Sequence, residues 1–209
     1  MKDLVIVGAG GFGRELLEIV KNINSVNPTW NVLGFIDDNT EALDDKRCEY
    51  KIIGKISDWK VEEGQYFAMA IAKPAVKEKV AKSLLDRGAE FASIIHPNTR
   101  ISESAKYGKG LVMYESSALG PDTELGDFVT LLSTGIGHDA VIGDYSTISS
   151  HCGINGYVRL GKRAYVGSHA CIVPSVRIGD DATVGIGSVV VRNVKAGTTV
   201  FGNPAKKLW

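Results

Sequence analysis

Residues 141–184, VIGDYSTISSHCGINGYVRLGKRAYVGSHACIVPSVRIGDDATV, repeat themselves every six positions. An aliphatic residue marks each unit at Ile142, Ile148, Ile154, Leu160, Val166, Ile172, Ile178 and Val184, and in most units a glycine follows the marker. A period of six fits neither the 3.6-residue turn of a helix nor the simple alternation of a hairpin sheet. It fits a parallel β-solenoid in which each hexad supplies one short strand and a turn, and three hexads close one coil. The marker then points into a narrow prism and the glycines serve the turns. The pattern extends forward to Val190 and backward to Ile136. One step of five residues leads back to Leu131, and sixes resume through Leu125, Leu119, Met113 and Tyr107 to Ile101.

Three hexads per coil place residues eighteen apart above one another, about 4.8 Å per coil. His138, Gly156 and Pro174 form one such column, Ser150, Ser168 and Ile186 a second, and His151 and His169 a third.

Upstream of the repeat the texture is different. Leu4 to Val7 reads as a buried strand and is followed by Gly8-Ala9-Gly10-Gly11-Phe12-Gly13, then by an amphipathic helix over about 12–24. A second strand, Val32 to Ile36, ends in Asp37-Asp38. A third, Tyr66 to Ile71, leads to a helix that begins at Pro74 and stops at Gly88, and Phe91-Ala92 starts a short fourth strand. This alternation predicts a half-Rossmann βαβαβ lobe over residues 1–95, with the solenoid over 96–209. Gly8, Gly10 and Gly13 complete G-x-G-x-x-G between strand and helix, where bare backbone and a helix N-terminus receive a phosphate. A dinucleotide needs two βαβαβ halves, and there is room here for one. The loop therefore points to a nucleotide other than NAD.

Lys and Arg together number 24, as do Asp and Glu, so the formal net charge is zero and neither nucleic acid nor an anionic membrane is the expected partner. Cys48, Cys152 and Cys171 are few, odd in number and widely spaced, which predicts free thiols and a cytoplasmic location.

Of the four histidines, His96 falls where the chain enters the repeat and reads as a linker. His151 and His169 stack without a third ligand and make a poor metal site. His138, in Gly135-Ile136-Gly137-His138-Asp139, lies beside the single slip of the frame and precedes an acid. An acid on one imidazole nitrogen fixes the tautomer and makes the other nitrogen a better base. Strand neighbours face opposite ways, so this reading requires the slip to distort the backbone at 138–139.

With "VIVGAGGFGRE", "GFIDD", "IIHPNTRIS", "GHDAVIGD", the hexads and the tail "VFGNPAKKLW", the chain resembles the left-handed β-helix sugar acyltransferases that carry an N-terminal Rossmann-like lobe, the PglD/NeuD type. The resemblance implies the left-handed coil, a homotrimer, and transfer of acetyl from acetyl-CoA to a nucleotide-linked amino sugar, without a metal. It makes His138 the general base and Asp139 its supporting acid. It assigns Gly8, Gly10, Gly11, Phe12, Asp37, Asp38 and Ala72 to the sugar nucleotide, Ala72 standing where some relatives have glycine. It assigns Thr147, Gly156, Ser168, Ile186 and Lys206 to an acetyl-CoA groove between two subunits. The rival activities are O-acetylation of a sugar such as sialic acid, and a zinc lyase of the carbonic-anhydrase type, which needs three convergent histidines. A non-catalytic scaffold is a further alternative.

Overall fold

The computed structural model describes residues 1–208. In the N-terminal lobe β1 (Lys2–Val7) leads through the glycine loop into α1 (Gly11–Val26), followed by β2 (Trp30–Ile36), β3 (Ile52–Gly54), β4 (Gln65–Met69), α2 (Pro74–Leu85) and β5 (Glu90–Phe91). The five strands form a parallel sheet in the order β3-β2-β1-β4-β5. Leu4, Val5, Ile6 and Val7 are fully buried, as a central strand covered on both faces requires. From α1, Leu16, Leu17, Ile19 and Val20 pack onto one face of the sheet. Only β3 was illegible in the sequence. It is three residues long and partly exposed, so no apolar run announces it.

The solenoid begins at β6 (Ile94–Ile95) and runs in two-residue strands around three faces. The first face carries eight strands from Ile94–Ile95 to Lys206–Lys207, the second six from Arg100–Ile101 to Val189–Val190, and the third five from Lys106–Tyr107 to Arg177–Ile178. Strands in each face are parallel, except that Lys206–Lys207 returns antiparallel to Thr199–Phe201. Markers from Leu119 to Val190 are at most 6% exposed and fill the prism, each contributing about 1.5–3 kcal/mol through burial. Tyr107 departs from this: it is 44% exposed, because its strand is an end strand of the third face.

Two expectations about the turns need correction. The glycines after the markers do not supply the turn conformation; they let the next coil approach. A Cβ at Gly137, for example, would stand 2.7 Å from the Gly156 nitrogen. The left-handed backbone of most turns is taken by a non-glycine residue, among them Phe128, Ser133, Asp139, Tyr145, His151, Tyr157 and His169, with Gly110 and Gly187 in the same position in two others. The five-residue step lies earlier than His138, in the turn Leu132-Ser133-Thr134; strands paired across it are seventeen residues apart (Leu119↔Ile136), and those beyond it eighteen (Ile136↔Ile154). Asp139, with φ 56°, occupies the ordinary left-handed turn position. The regular turn, rather than the slip, frees the two neighbouring side chains from strand alternation.

The lobe docks on the first face. Phe91 meets Phe128 edge-on at 4.9 Å, and Phe128 stacks on Tyr145 at 5.3 Å. His96 is a buried linker: its Nδ1 accepts from the Asn98 N–H at 2.9 Å, and Nε2 lies 3.1 Å from the Asn22 amide on α1. No helix among the described residues is long and apolar enough to cross a membrane.

Candidate active site

The glycine loop divides its labour. Gly8 has φ +103°, and a Cβ there would stand 2.9 Å from the Ala70 carbonyl oxygen. A Cβ on Gly13 would overlap the carbonyl oxygen of Gly8. These two glycines serve packing between α1, β1 and β4. Gly10 and Gly11 have open space where a Cβ would go, and Gly10 begins α1 without a side-chain cap. The first N–H groups of this sixteen-residue helix therefore have no side-chain cap, and no Cβ at Gly10 or Gly11 stands beside them, an arrangement suited to a phosphate. Phe12 packs against Tyr114 of the solenoid, ring centroids 6.0 Å apart, and Tyr114 donates to Glu15 at 2.9 Å.

Asp37, at the end of β2, braces this loop. Its Oδ2 accepts from the Ala9 N–H at 2.8 Å and its Oδ1 from the Asn39 N–H at 2.8 Å. Asp38 accepts from the Ser57 N–H at 2.9 Å. Ala72 follows β4 and, with Gly8, Gly10 and Asp37, lies at the carboxyl end of the parallel sheet. In open α/β sheets this is the edge that binds ligands.

On the solenoid, His138 Nδ1 and Asp139 Oδ2 are 2.8 Å apart in an exposed turn between the second and third faces. With the carboxylate on Nδ1, the neutral ring carries its proton there and presents the Nε2 lone pair outward. Nε2 lies over Gly156 of the next coil, where a Cβ would be only 2.6 Å away. Tyr157 closes one side, its ring edge-on to the imidazole at 5.2 Å. Among the described residues the Gly156 N–H meets no acceptor, whereas Tyr157 N–H on one side donates to the His138 carbonyl. The column read from the eighteen-residue spacing thus brings a base and a free backbone donor together.

The remaining predicted groove residues fall elsewhere. Ser168 and the exposed Ile186 stack at the edge between the first and second faces. This is the edge from which Tyr114 meets the glycine loop, across the width of the second face from His138 and Gly156. Lys206 is exposed beside a cavity of ≈ 440 Å³ at the end of the prism, with Arg192, Lys195 and Lys207 around it. Thr147 is a correction. It is fully buried under the lobe, where its hydroxyl donates to the Ala72 carbonyl at 2.7 Å, so it cannot line a groove for a ligand. His151 and His169 do stack, with centroids 5.2 Å apart. No cluster of three or more His, Cys, Asp or Glu is arranged to hold a metal among the described residues.

One buried residue escaped the sequence reading. Lys77 of α2 is fully buried, and its Nζ lies 2.8–3.1 Å from Phe128 O, Thr130 Oγ1, Ser146 O and Thr147 Oγ1. Burial without a carboxylate partner holds its amine well below the usual lysine range. The signal available was faint: a lysine at a helix position one turn after Pro74, where a surface charge is the ordinary expectation.

The chain is similar to known proteins over most of its length. The PglD N-terminal domain matches residues 3–84. A GDP-perosamine N-acetyltransferase of Escherichia coli O157:H7 is 32% identical over 164 residues, covering 77% of this chain and 73% of that protein. The acetyltransferase domain of PglB from Neisseria gonorrhoeae, solved with acetyl coenzyme A, is similar over 99% of both chains at 25% identity with a TM-score of 0.88. PerB from Caulobacter crescentus, solved with CoA and GDP-perosamine, is similar over 100% of this chain and 98% of its own at 25% identity and a TM-score of 0.89. With the lobe, the solenoid and a curated relative all aligned over most of their length, the chain belongs to the PglD-type family of sugar acetyltransferases, an α/β lobe followed by a left-handed parallel β-helix.

Proposed function

We propose that the chain transfers the acetyl group of acetyl-CoA to the amine of a nucleotide-linked 4-amino-4,6-dideoxyhexose, with His138 as general base. The observation that carries this reading is the 2.8 Å contact of Asp139 with His138 Nδ1, which leaves Nε2 free above Gly156. The sugar amine attacks the thioester carbonyl while Nε2 removes its proton. The C–N bond forms, the C–S bond breaks, and CoA leaves as its thiolate, to which the imidazolium returns a proton. A positioned imidazole contributes roughly 10²–10⁴-fold in such a step. The unengaged Gly156 N–H is suited to the oxyanion, a role worth about 3–4 kcal/mol.

The uncapped start of α1, with Gly10, Gly11 and Phe12, is suited to the diphosphate, and Asp37, Asp38 and Ala72 to the nucleoside and sugar. The GDP-perosamine bound by the Caulobacter protein supports an amino-sugar nucleotide of this class. The acetyl coenzyme A in the Neisseria domain supports the donor, and Ser168, Ile186 and the lysine-rich tail at Lys206 suit its apolar arm and phosphates. The glycine loop and His138 stand on different edges of one solenoid. A homotrimer would set the edge of one copy against the next and close both the groove and the active site, in keeping with the closed symmetry of most oligomers. Both substrates are cytoplasmic metabolites, and we place the enzyme there.

The test is mass spectrometry of the products from acetyl-CoA with GDP-perosamine and with UDP- and dTDP-linked 4-amino-4,6-dideoxyhexoses. An added acetyl group on the sugar nitrogen is expected for one of them. Acetylation of a hydroxyl alone would overturn the reading in favour of O-transfer.

A further inference from the structure

Lys77 has four partners and all of them belong to the solenoid. Two are backbone carbonyls, of Phe128 and Ser146, and two are the hydroxyls of Thr130 and Thr147, on neighbouring strands of the first face. The ammonium or amine at this point has nothing else to bond: no carboxylate lies within ion-pair distance among the described residues. A hydroxyl owns a single proton. With Lys77 donating to its oxygen at 2.8 Å, Thr147 directs that proton to the Ala72 carbonyl at 2.7 Å. Lys77 is itself one turn into α2, its N–H bonded to the Lys73 carbonyl. The chain therefore closes a ring of contacts: Ala72 and Lys73, into α2, down the Lys77 side chain, through Thr147, and back to Ala72.

The ring encloses the corner Ala72-Lys73-Pro74, which is the carboxyl end of β4 and part of the edge assigned above to the sugar nucleotide. Around the same corner the aromatic contacts Phe91–Phe128–Tyr145 are apolar and tolerate sliding. The N–H donors of one amine, at most three and shared among four oxygens in a buried site, do not, because each directional bond broken leaves a desolvated polar group unpaired. We propose that Lys77, acting through Thr147, is a positioning residue for acetyl transfer: it fixes the angle and depth at which the substrate lobe sits on the solenoid, and so the line on which the acceptor amine meets the thioester. This inference rests on the transfer reaction proposed above. It adds that alignment between the lobes, and not ligand affinity alone, is held by one buried amine.

Lys77→Met keeps the volume and removes the donors; Thr147→Val and Thr147→Ser remove and retain the hydroxyl. Amide exchange is measured on each variant without ligand, together with CoA and GDP-perosamine affinities by calorimetry and kcat with the best acceptor of the panel. In Lys77→Met and Thr147→Val, exchange across residues 72–85 should rise about tenfold or more while residues 16–20 of α1 stay protected. Both ligand affinities should stay within about threefold and kcat should fall by about tenfold or more, since roughly 1 Å of misplacement can cost on the order of 10² in rate. Thr147→Ser should recover most of the rate. Unchanged exchange at 72–85 in Thr147→Val would overturn the lock, whether or not Lys77→Met folds. Looser exchange with an unaltered kcat, or a kcat loss no larger than the loss in GDP-perosamine affinity, would overturn the alignment role. A wild type that acetylates no amine of the panel would instead count against the reaction itself, and the lock would then stand or fall on exchange alone.

Discussion

A methyl group at residue 156 would stand 2.6 Å from Nε2 of His138, although the two residues are one full coil apart. The imidazole occupies the space that glycine leaves open. Gly156→Ala should therefore push the ring aside while the coil survives, since an exposed side chain yields more readily than backbone. A displacement of roughly 1 Å is enough to lower kcat by about 10²-fold. The fall in kcat should come with a melting temperature close to wild type. A variant with normal turnover would mean that the ring does not need its present seat.

His138→Ala should reduce kcat by about 10²–10⁴-fold with both ligands still bound. Asp139→Asn should lose less, since it disturbs only the tautomer and basicity of a ring that remains present. The pH profile of kcat/KM separates base from bystander. Wild type should gain activity through a limb on its acid side, and His138→Ala should lack that limb. An unchanged profile in the variant would remove His138 from the mechanism.

Asp37→Ala should weaken binding of the sugar nucleotide by about 1–3 kcal/mol, the scale for unpairing buried hydrogen-bond groups. Part of this loss is indirect. The carboxylate holds the Ala9 and Asn39 N–H groups, so its removal loosens the glycine loop as well as any contact to the ligand. CoA affinity should stay the same by calorimetry. Loss of CoA binding with nucleotide binding intact would reverse the division of labour between lobe and solenoid.

The solenoid was legible because its chemistry is periodic: one aliphatic per hexad is buried, and the eighteen-residue coil follows by arithmetic. That arithmetic places Gly156 against His138. Other features of the site were hidden because nothing local encodes them. Thr147 reads like any hexad residue, yet the lobe covers it. Phe128 and Tyr145 occupy the same left-handed turn position as the exposed Tyr157, so an aromatic residue there does not by itself mark the docking surface until the coil is built. The sequence around Asp139 points to the frame slip, whereas the left-handed turn position that recurs along the solenoid sets its side chain beside His138. Lys77 was invisible for a more general reason. A lysine on a short helix is expected at the surface, and only the distant hydroxyls and carbonyls of residues 128–147 make a buried position tolerable.

That buried amine leads to a prediction about stability. Burial lowers the proton affinity of Lys77 below that of the unfolded chain, whose lysine titrates near 10.5. Between the folded and unfolded values the unfolded state binds more protons, so stability rises with pH across that window. The contribution is present in full above 10.5 and is lost as pH falls through the folded value. Cys152 works in the opposite sense. Burial pushes its thiol up from 9.0 to about 11, so the stability it contributes is present below 9.0 and lost as pH rises toward about 11. The two effects overlap in wild type and must be separated by subtraction. Lys77→Met retains Cys152, and the difference in unfolding free energy between wild type and Lys77→Met isolates the lysine. Urea titrations at several pH values between 7 and 10 should show that difference moving in favour of wild type as pH approaches 10.5 from below. A difference that is flat over this range would mean that the folded protein holds the Lys77 proton as tightly as the unfolded chain does, and that the four oxygen acceptors compensate its burial in full.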